Sequence, residues 1–224
     1  MAVRRGTERD RRQRSLGQNF LVDRRLIDRF VASLDLTAEQ LVVDIGAGTG
    51  ALTVPMAEAG ARVLAVEADP RLATRLRRTV ADAGDSAKRI RVVTADARRL
   101  RLPRESYRVV ANPPFGLTTA LLSLLLDDPR RGPDRVDLAI QREVARKHAT
   151  SPPVALRTAA WSPWWTFRLG LRIGRTAFRP RPAVDAQVLV IERRSPPVLP
   201  DHLAPGFRET LRPVWEGAAN RQGH

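Results

Sequence analysis

The sequence predicts a doubly wound α/β fold, and two observations carry this prediction. Short apolar runs alternate five times with segments of helical periodicity, and glycine, proline or an acidic residue follows most of the runs. Strand, helix and strand in repeated order is typical of an open, mostly parallel sheet covered by helices on both faces. The 224 residues suffice for one well-packed domain but hardly for two.

The elements can be placed along the chain from these patterns. A first helix is indicated by the spacing of Leu26, Phe30 and Leu34, with Asp23 as its candidate N-cap. Five strands are then predicted at 41–45, 62–69, 90–96, 107–111 and 136–140. Helices are predicted at 52–60, 70–84 and 118–126. Beyond them follow a helix-like segment, a tryptophan-rich segment, a Pro/Arg loop and a last strand, at 141–149, 161–169, 178–185 and 186–193.

The charge of the chain indicates a polyanionic partner. Thirty-nine Lys and Arg against 24 Asp and Glu give a formal charge of +15, most simply explained by nucleic-acid binding. Only Lys88 and Lys147 are lysines, a skew that a GC-rich coding sequence would produce without changing the net charge. Residues 1–14 carry six arginines and little apolar content, so we expect a flexible arm there.

Composition also excludes several classes of site. Without cysteine the chain has no disulfide, no thiolate metal site and no cysteine nucleophile, which fits a reducing cytoplasm. The three histidines, His148, His202 and His224, are scattered, so no metal site is expected. The longest nearly pure apolar run, 120–126, is far too short for a membrane span, and no signal peptide is visible.

Three successive strand ends carry the features of a nucleoside pocket. The first predicted strand runs into a loop with Gly46, Gly48 and Gly50, where backbone can approach a ligand closely. Glu67 ends the second strand, where it can accept hydrogen bonds from ribose hydroxyls, and Asp96 ends the third, within reach of an adenine amine. The alternative is that both acids merely cap strand ends.

The fourth strand ends in Asn112-Pro113-Pro114-Phe115. In isolation this is an ordinary stiff turn. At this position, the Asn112 side chain and the Pro113 carbonyl can both accept from an amino group, and Phe115 can stack on a base, which suits an extruded adenine. Acceptors on the N–H bonds help to free the delocalised lone pair of an exocyclic amine. The methyl donor would be S-adenosylmethionine (AdoMet), held in line by the glycine loop.

Together these motifs resemble the rRNA adenine N6-dimethyltransferase family, and within it the erythromycin-resistance methylases that act on 23S rRNA. The resemblance extends from about residue 15 to residue 193. It rests on separated motifs in the family's order: LGQNFLVD at 16–23, GAGTGALT at 46–53, LAVEAD at 64–69, TADA at 94–97, NPPF at 112–115, QREVARK at 141–147 and FRPRPAVDAQVL at 178–189.

The resemblance implies a class I, Rossmann-like methyltransferase fold with a seven-stranded sheet, and it implies roles for single residues. Asn112 is implied to serve both the cofactor and the target amine, with Pro113 beside it and Phe115 stacking on the base. The implied AdoMet contacts are Asn19, Leu21, Gly46, Ala47, Gly48, Glu67, Asp96, Ala97 and Asn112. The alternative for the leading motif is a helix lead-in that packs Leu16 and Phe20 on the core.

Three features depart from the family pattern. Asp44 stands where Glu is usual, and Pro113 where Ile or Leu is more common, which bears on whether a monomethylated amine can re-enter. We expect an arm at 1–14, a catalytic domain at 15–194 and, at 195–224, either a short Pro-rich tail or a reduced form of the family's helical C-terminal domain. Contact with RNA is therefore expected from the arm and from 168–181, through Arg4, Arg5, Arg11, Arg12, Arg14, Arg172, Arg175, Arg179 and Arg181.

The sequence thus predicts a cytoplasmic, monomeric enzyme that methylates an adenine of 23S rRNA and confers resistance to macrolide-type antibiotics. The alternatives are a small-subunit (16S) rRNA dimethylase, an RNA-binding relative without turnover, and, less favoured, a DNA adenine or small-molecule methylase. Two further expectations concern single side chains. Trp161, Trp164 and Trp165 are expected to pack rather than to stack on bases, and His148 to end a helix in solvent.

Overall fold

A computed structural model describes residues 18–221 of the chain. Its main sheet has seven strands, and a separate two-stranded ribbon joins the start of the described chain to a late segment. The sheet strands are β2 (Leu41–Ile45), β3 (Arg62–Glu67), β4 (Ile90–Thr94), β5 (Arg108–Ala111), β6 (Arg135–Gln141), β7 (Trp165–Ile173) and β9 (Ala186–Arg193). The ribbon pairs β1 (Phe20–Leu21) with β8 (Phe178–Arg179).

Seven α-helices lie between or after these strands in the described residues. They are α1 (Arg24–Ser33), α2 (Thr53–Glu58), α3 (Pro70–Ala81), α4 (Thr118–Leu126), α5 (Arg142–Ala149), α6 (Leu156–Trp161) and α7 (Ala204–Arg221). The predicted N-cap is confirmed, because Asp23 Oδ1 accepts the Leu26 N–H at 3.1 Å. None of the helices between residues 18 and 221 combines the length and apolarity that a membrane span requires.

The doubly wound, seven-stranded prediction is confirmed. The strand order is β4-β3-β2-β5-β6-β9-β7, with the first five strands parallel and β9 antiparallel to both of its neighbours. In the parallel register Ile45 lies beside Val66 on one side and Ala111 on the other. The segments that follow β2, β3 and β5 therefore leave the sheet at one edge, where ligands of such sheets bind.

Strand β7 was not predicted. The tryptophan-rich segment continues as an edge strand, but its burial does not alternate, and its register against β9 shifts between Leu169 and Arg172. At Gly170, inside the shift, a Cβ would lie 3.0 Å from the Val190 side chain. This irregularity removes the period of two that identifies a strand in sequence.

Two apolar clusters form the core. One gathers α1, α2 and α3 with residues such as Phe30, Met56 and Leu76, and the other gathers α4 and the tryptophans with Leu122 and Leu125. The packing prediction for the tryptophans is confirmed, since Trp161, Trp164 and Trp165 are 3%, 2% and 0% exposed. Their rings are therefore not available for stacking on bases.

The expectation for His148 was wrong. Rather than ending α5 in solvent, the ring is half-buried, with Nδ1 2.7 Å from Thr158 Oγ1. It also lies against Phe167 and Trp161, at centroid distances of 6.4 and 6.2 Å. Burial, and secondarily the charge of Lys147, lower the pKa of His148. The packing of β7 and α6 against α5 creates this site, and neither element was predicted.

Residues 204–221 form helix α7 although no clear period marks it. Phe207 packs edge-on against the buried Trp164 at 5.7 Å, and Arg193 forms a 2.8 Å ion pair with Asp201 just before the helix. These contacts hold the start of the helix against the core, and Pro213 inside the helix lowers its intrinsic propensity.

Candidate active site

A cleft of about 700 Å³ opens at the carboxyl edge of the parallel strands, within the usual range for a small-molecule site. Every residue named above as an AdoMet contact lines it, as do Pro113 and Pro114, whereas Gly50 of the glycine loop does not. Among the residues that were not predicted, Gln18, Arg71, Arg98, Leu117, Leu121 and Leu124 also line it. The α4 leucines were missed because a uniformly apolar run does not reveal which face meets a ligand.

The glycine loop after β2 is held close against its neighbours. The N–H groups of Gly46 and Ala47 both donate to the Val66 carbonyl, at 2.8 and 3.1 Å. Gly48 has φ +60°, and a Cβ there would lie 3.1 Å from the Phe20 ring. A side chain at position 48 would therefore strain the backbone and press on the segment across the cleft.

Glu67, at the end of β3, is a fixed carboxylate facing the cleft. Its Oε2 accepts the Gly48 N–H and its Oε1 the Asp69 N–H, both at 2.8 Å, and the residue is 4% exposed. Each carboxylate oxygen can accept more than one hydrogen bond, so both remain able to receive hydroxyl donors. This arrangement suits a ribose, whose two adjacent hydroxyls need a pre-oriented acceptor pair.

Asp44, in β2, is a buried acid one strand away. Burial raises its pKa to about 7, the charge of Glu67 adds to the rise, and a 2.5 Å hydrogen bond from Thr53 Oγ1 opposes it. The sequence marked Asp44 only as a departure from the family's Glu, because burial and the neighbouring charge cannot be read from a motif. At neutral pH this side chain can hold or release a proton beside the cleft.

Asp96 lies at the cleft but is already engaged. Arg98 Nε lies 3.1 Å from each carboxylate oxygen, Arg98 Nη2 lies 2.6 Å from Oδ2, and the Arg98 N–H donates to Oδ1. The Arg98 guanidinium is the main reason that the pKa of Asp96 falls to about 2. The carboxylate stays ionised, so its predicted contact with an adenine amine would share it with Arg98.

The loop after β5 contributes an oriented amide and two prolines. Asn112 Nδ2 donates to the backbone carbonyl of Asn19 at 2.7 Å, and Pro113 is buried. Phe115 begins a short 3₁₀ turn, Phe115–Leu117, is half-buried and is not among the residues that line the cleft. The structure therefore brings Asn112 and Pro113 to the cofactor-side cleft, while stacking by Phe115 stays a prediction.

The residues that lead into α1 lie across the cleft. Gln18, Asn19, Phe20 and Leu21 all line it, and the pairs Phe20↔Arg179 and Leu21↔Phe178 join this segment to β8. We call residues 18–21 the strap. Leu16, and with it half of the lead-in alternative, lies outside the described residues.

The predicted RNA contacts divide into two groups. Arg4, Arg5, Arg11, Arg12 and Arg14 lie outside the described residues. Arg172, Arg175, Arg179 and Arg181 are exposed around the ribbon, and none of their guanidinium groups forms an ion pair with a carboxylate within residues 18–221. In the same range no three His, Asp or Glu side chains are grouped as metal ligands would be.

The cleft fits AdoMet on the chemistry of its lining. Glu67 offers a fixed acceptor for a ribose, the glycine loop allows close approach of backbone, and Val66, Leu121 and Leu124 supply apolar walls for a base. The residues of this cleft can thus hold a nucleoside cofactor and, at Asn112 and Pro113, meet an amino group with acceptors.

Comparison with known proteins gives a consistent result. The family model "Ribosomal RNA adenine dimethylase" matches residues 9–214. An rRNA adenine N-6-methyltransferase of Corynebacterium diphtheriae is 40% identical over 89% of this chain and 76% of its own length. The mycinamicin-resistance protein MyrB of Micromonospora griseorubida is 40% identical over 90% of this chain, which spans 62% of MyrB. The crystal structure of the 23S rRNA methyltransferase ErmE superimposes with a TM-score of 0.75 at 29% identity, covering 87% of this chain and 78% of that one.

Proposed function

The chain belongs to the ribosomal RNA adenine dimethylase family, and from this premise we propose that it methylates the N6 amine of an adenine in 23S rRNA and thereby confers resistance to macrolide, lincosamide and streptogramin B antibiotics. As a member of this family it is an AdoMet-dependent methyltransferase. The observation that carries the proposal is the placement of Asn112 and Pro113 on the same cleft as Glu67 and the glycine loop.

The cofactor supplies an activated methyl group on a sulfonium. Glu67 would bind the ribose hydroxyls with the carboxylate that the Gly48 and Asp69 N–H groups hold in place. Ala97 and Asp96 would border the adenine ring at the end of β4. These residues contribute position rather than proton transfer, because in-line approach supplies much of the rate of such a reaction.

The target amine would be received by two acceptors. With Nδ2 committed to Asn19, Asn112 presents Oδ1 to the N–H bonds of an incoming adenine, and the Pro113 carbonyl is the second acceptor in the proposal. Hydrogen bonds from the N6 amine to these two acceptors keep more of the lone pair on N6, which makes the nitrogen a better nucleophile toward the methyl group. The methylated nitrogen then gives up its extra proton to water, so no strong base is needed in the cleft.

The choice of 23S rRNA is supported by the likeness to MyrB and ErmE, whose names state mycinamicin resistance and 23S rRNA methylation. A charge of +15 and the exposed ribbon arginines suit a polyanionic substrate. Because the proposed substrate is ribosomal, we also propose a cytoplasmic location. We further propose that the enzyme is monomeric and that the target adenine lies in the peptidyl-transferase region.

The test is incubation of the protein with radiolabelled AdoMet and separated 16S and 23S rRNA, followed by primer extension to map the modified base. We expect label in 23S rRNA at one adenine, together with raised macrolide tolerance in a susceptible host that expresses the chain. Label confined to 16S rRNA would assign the enzyme to small-subunit biogenesis instead. Absence of label in both, with RNA binding retained, would indicate a relative without turnover.

A further inference from the structure

We propose that the β1–β8 ribbon is a positioning element for catalysis, which sets the orientation of the Asn112 carboxamide through the backbone carbonyl of Asn19. This inference rests on the role of Asn112 proposed above. It assigns a function to β8, Phe178–Arg179, which lies far along the chain from the target-amine loop.

A continuous set of contacts links β8 to Asn112. Asn112 Nδ2 donates to the Asn19 carbonyl at 2.7 Å, and Asn19 directly precedes β1. Strand β1 pairs with β8, and beyond it the Val22 N–H donates to the Ala177 carbonyl at 2.9 Å. Strand β8 and the residue before it, Ala177, therefore help to hold the strap in place across the cleft.

The ribbon is rigidly seated. Phe178 is 0% and Leu21 5% exposed, and both belong to the apolar cluster on the α1 side of the sheet. Packed side chains of this kind have little freedom to shift, so the backbone carbonyls between them are held as well. The buried side chains of Leu21 and Phe178 therefore help to fix the position of the strap.

Orientation matters because the two ends of a carboxamide have opposite hydrogen-bonding character. A target amine presents N–H donors, so Oδ1 facing it attracts, whereas Nδ2 facing it would set donor against donor. Rotation about the last side-chain bond of Asn is soft and roughly two-fold, so an unrestrained Asn112 would populate both. Within residues 18–221, the bond to Asn19 is the one hydrogen bond of the Asn112 side chain, and it selects the productive end.

The strap touches the cofactor side as well. The Phe20 ring lies so close to Gly48 that a Cβ there would be 3.1 Å away. A ribbon that fixes residues 19–20 thus sets the target-amine acceptor and the glycine loop relative to one another. In-line methyl transfer requires that relative placement.

The proposal is tested by a substitution that loosens the strap but lies outside the cleft. Val22 is 48% exposed and does not line the cleft, so Val22→Pro removes its N–H bond to Ala177 without emptying core volume. Leu21, the residue before it, is already in a strand, as proline requires. Val22→Ala, which keeps the N–H, is the matched control.

The first readout needs neither cofactor nor RNA. In ¹⁵N-labelled protein, the Asn112 side-chain amide is identified by its disappearance in Asn112→Ala. We expect its proton shifts to move toward those of an exposed amide in Val22→Pro, with faster hydrogen exchange across residues 18–21, and to stay unchanged in Val22→Ala. If Val22→Pro fails to fold, the wild-type protein in mild urea serves, and the amide signal should move in step with exchange across residues 18–21.

The second readout is turnover with AdoMet and RNA both saturating. Val22→Pro should lower kcat by up to about tenfold, the worth of one hydrogen bond, and Val22→Ala should not. A purely structural strap would lower the melting temperature and AdoMet affinity but leave kcat and the amide shifts unchanged, and that result would overturn the inference. Near-normal turnover by Asn112→Ala would instead refute the role proposed for Asn112, whatever the amide signal shows.

Discussion

The carboxylate of Glu67 and the backbone N–H of Gly48 are joined by a 2.8 Å hydrogen bond across two neighbouring strand ends. The other oxygen of Glu67 accepts the Asp69 N–H at the same distance. The Glu67 side chain therefore both holds the glycine loop and faces the cofactor cleft. Its replacement should lower cofactor affinity by more when more of these hydrogen bonds are lost.

Glu67→Gln should weaken AdoMet binding about tenfold, and Glu67→Ala about 100-fold. The amide of Gln can accept only one of the two backbone N–H groups, and Ala accepts neither, while hydrogen bonds to a charged group are worth about 1.5–3 kcal/mol. Isothermal titration calorimetry measures both constants. The control is Glu105→Gln, an exposed acid paired with Arg62. Equal affinities for wild type and Glu67→Ala would remove Glu67 from the cofactor site.

Asp44 should make AdoMet binding depend on pH. The pKa of Asp44 is about 7 in the free protein, and a positively charged sulfonium in the cleft would favour the ionised form of this side chain. The affinity for AdoMet should therefore rise between about pH 6 and about pH 8, by at most tenfold per pH unit. Asp44→Asn should flatten this rise, and S-adenosylhomocysteine, which lacks the sulfonium charge, should show less of it. An unchanged pH profile in Asp44→Asn would show that another group is responsible.

Asp44 also has a consequence for stability in the absence of ligand. Its folded pKa is raised above the unfolded value of 3.8, so its contribution to stability is fully present below about pH 4 and is lost as the pH rises through about 7. The melting temperature of the wild type should therefore fall relative to that of Asp44→Asn as the pH rises from about 5 to about 8. A constant difference across that range would contradict the raised pKa.

His148 should act with the opposite sign. Its folded pKa is lowered below the usual value of 6.5, so its contribution to stability is present above that pH. The contribution is lost as the pH falls toward the folded pKa, where the half-buried ring must take up a proton. Thermal melts between about pH 7 and about pH 5 should fall less steeply for His148→Gln than for wild type. His202→Gln serves as the control, and identical slopes in all three proteins would dismiss the burial effect.

Asn112→Ala should reduce transfer by at least about 100-fold, the usual effect of removing one preorganised hydrogen-bonding group from a reacting centre. RNA affinity, measured by filter binding, should stay within about twofold, because the loss concerns one uncharged side chain in the cleft rather than phosphate contacts. Wild-type turnover numbers in this variant would require another acceptor for the amine.

The ribbon arginines should contribute through charge. Replacing Arg172 and Arg181 by Gln should weaken RNA binding and lower the slope of log affinity against log salt by about 0.7–0.9 for each lost contact. Deletion of residues 1–14 should act in the same way. Arg89→Gln provides the control, since Arg89 is paired with Glu39. If the slope equals that of wild type, these residues do not meet phosphate.

The parallel sheet and its ligand edge were predictable from local pattern. Each apolar strand ends in a recognisable feature, at Gly46, Glu67, Asp96 and Asn112, and parallel pairing brings successive strand ends to one edge. Strand β7 was not predictable, because the irregularity at Gly170 hides its period. Helix α7 has no clear period in the sequence, and a helical region at 195–224 was expected only as one alternative, from the family resemblance.

Within the site, the sequence indicated which residues take part but not their protonation states or hydrogen-bond partners. The sequence by itself determined that Gly46, Glu67, Asp96 and Asn112 reach the cleft, since each follows an apolar strand and parallel strands end at one edge of a sheet. Only the tertiary structure decided their protonation and hydrogen bonding. Burial places the pKa of Asp44 near 7, Arg98 pairs with Asp96, and the Asn19 carbonyl accepts a hydrogen bond from the Asn112 side chain. The local dielectric, ion pairing and carbonyl position depend on atoms brought together from distant parts of the chain. Local sequence periodicity therefore does not predict them.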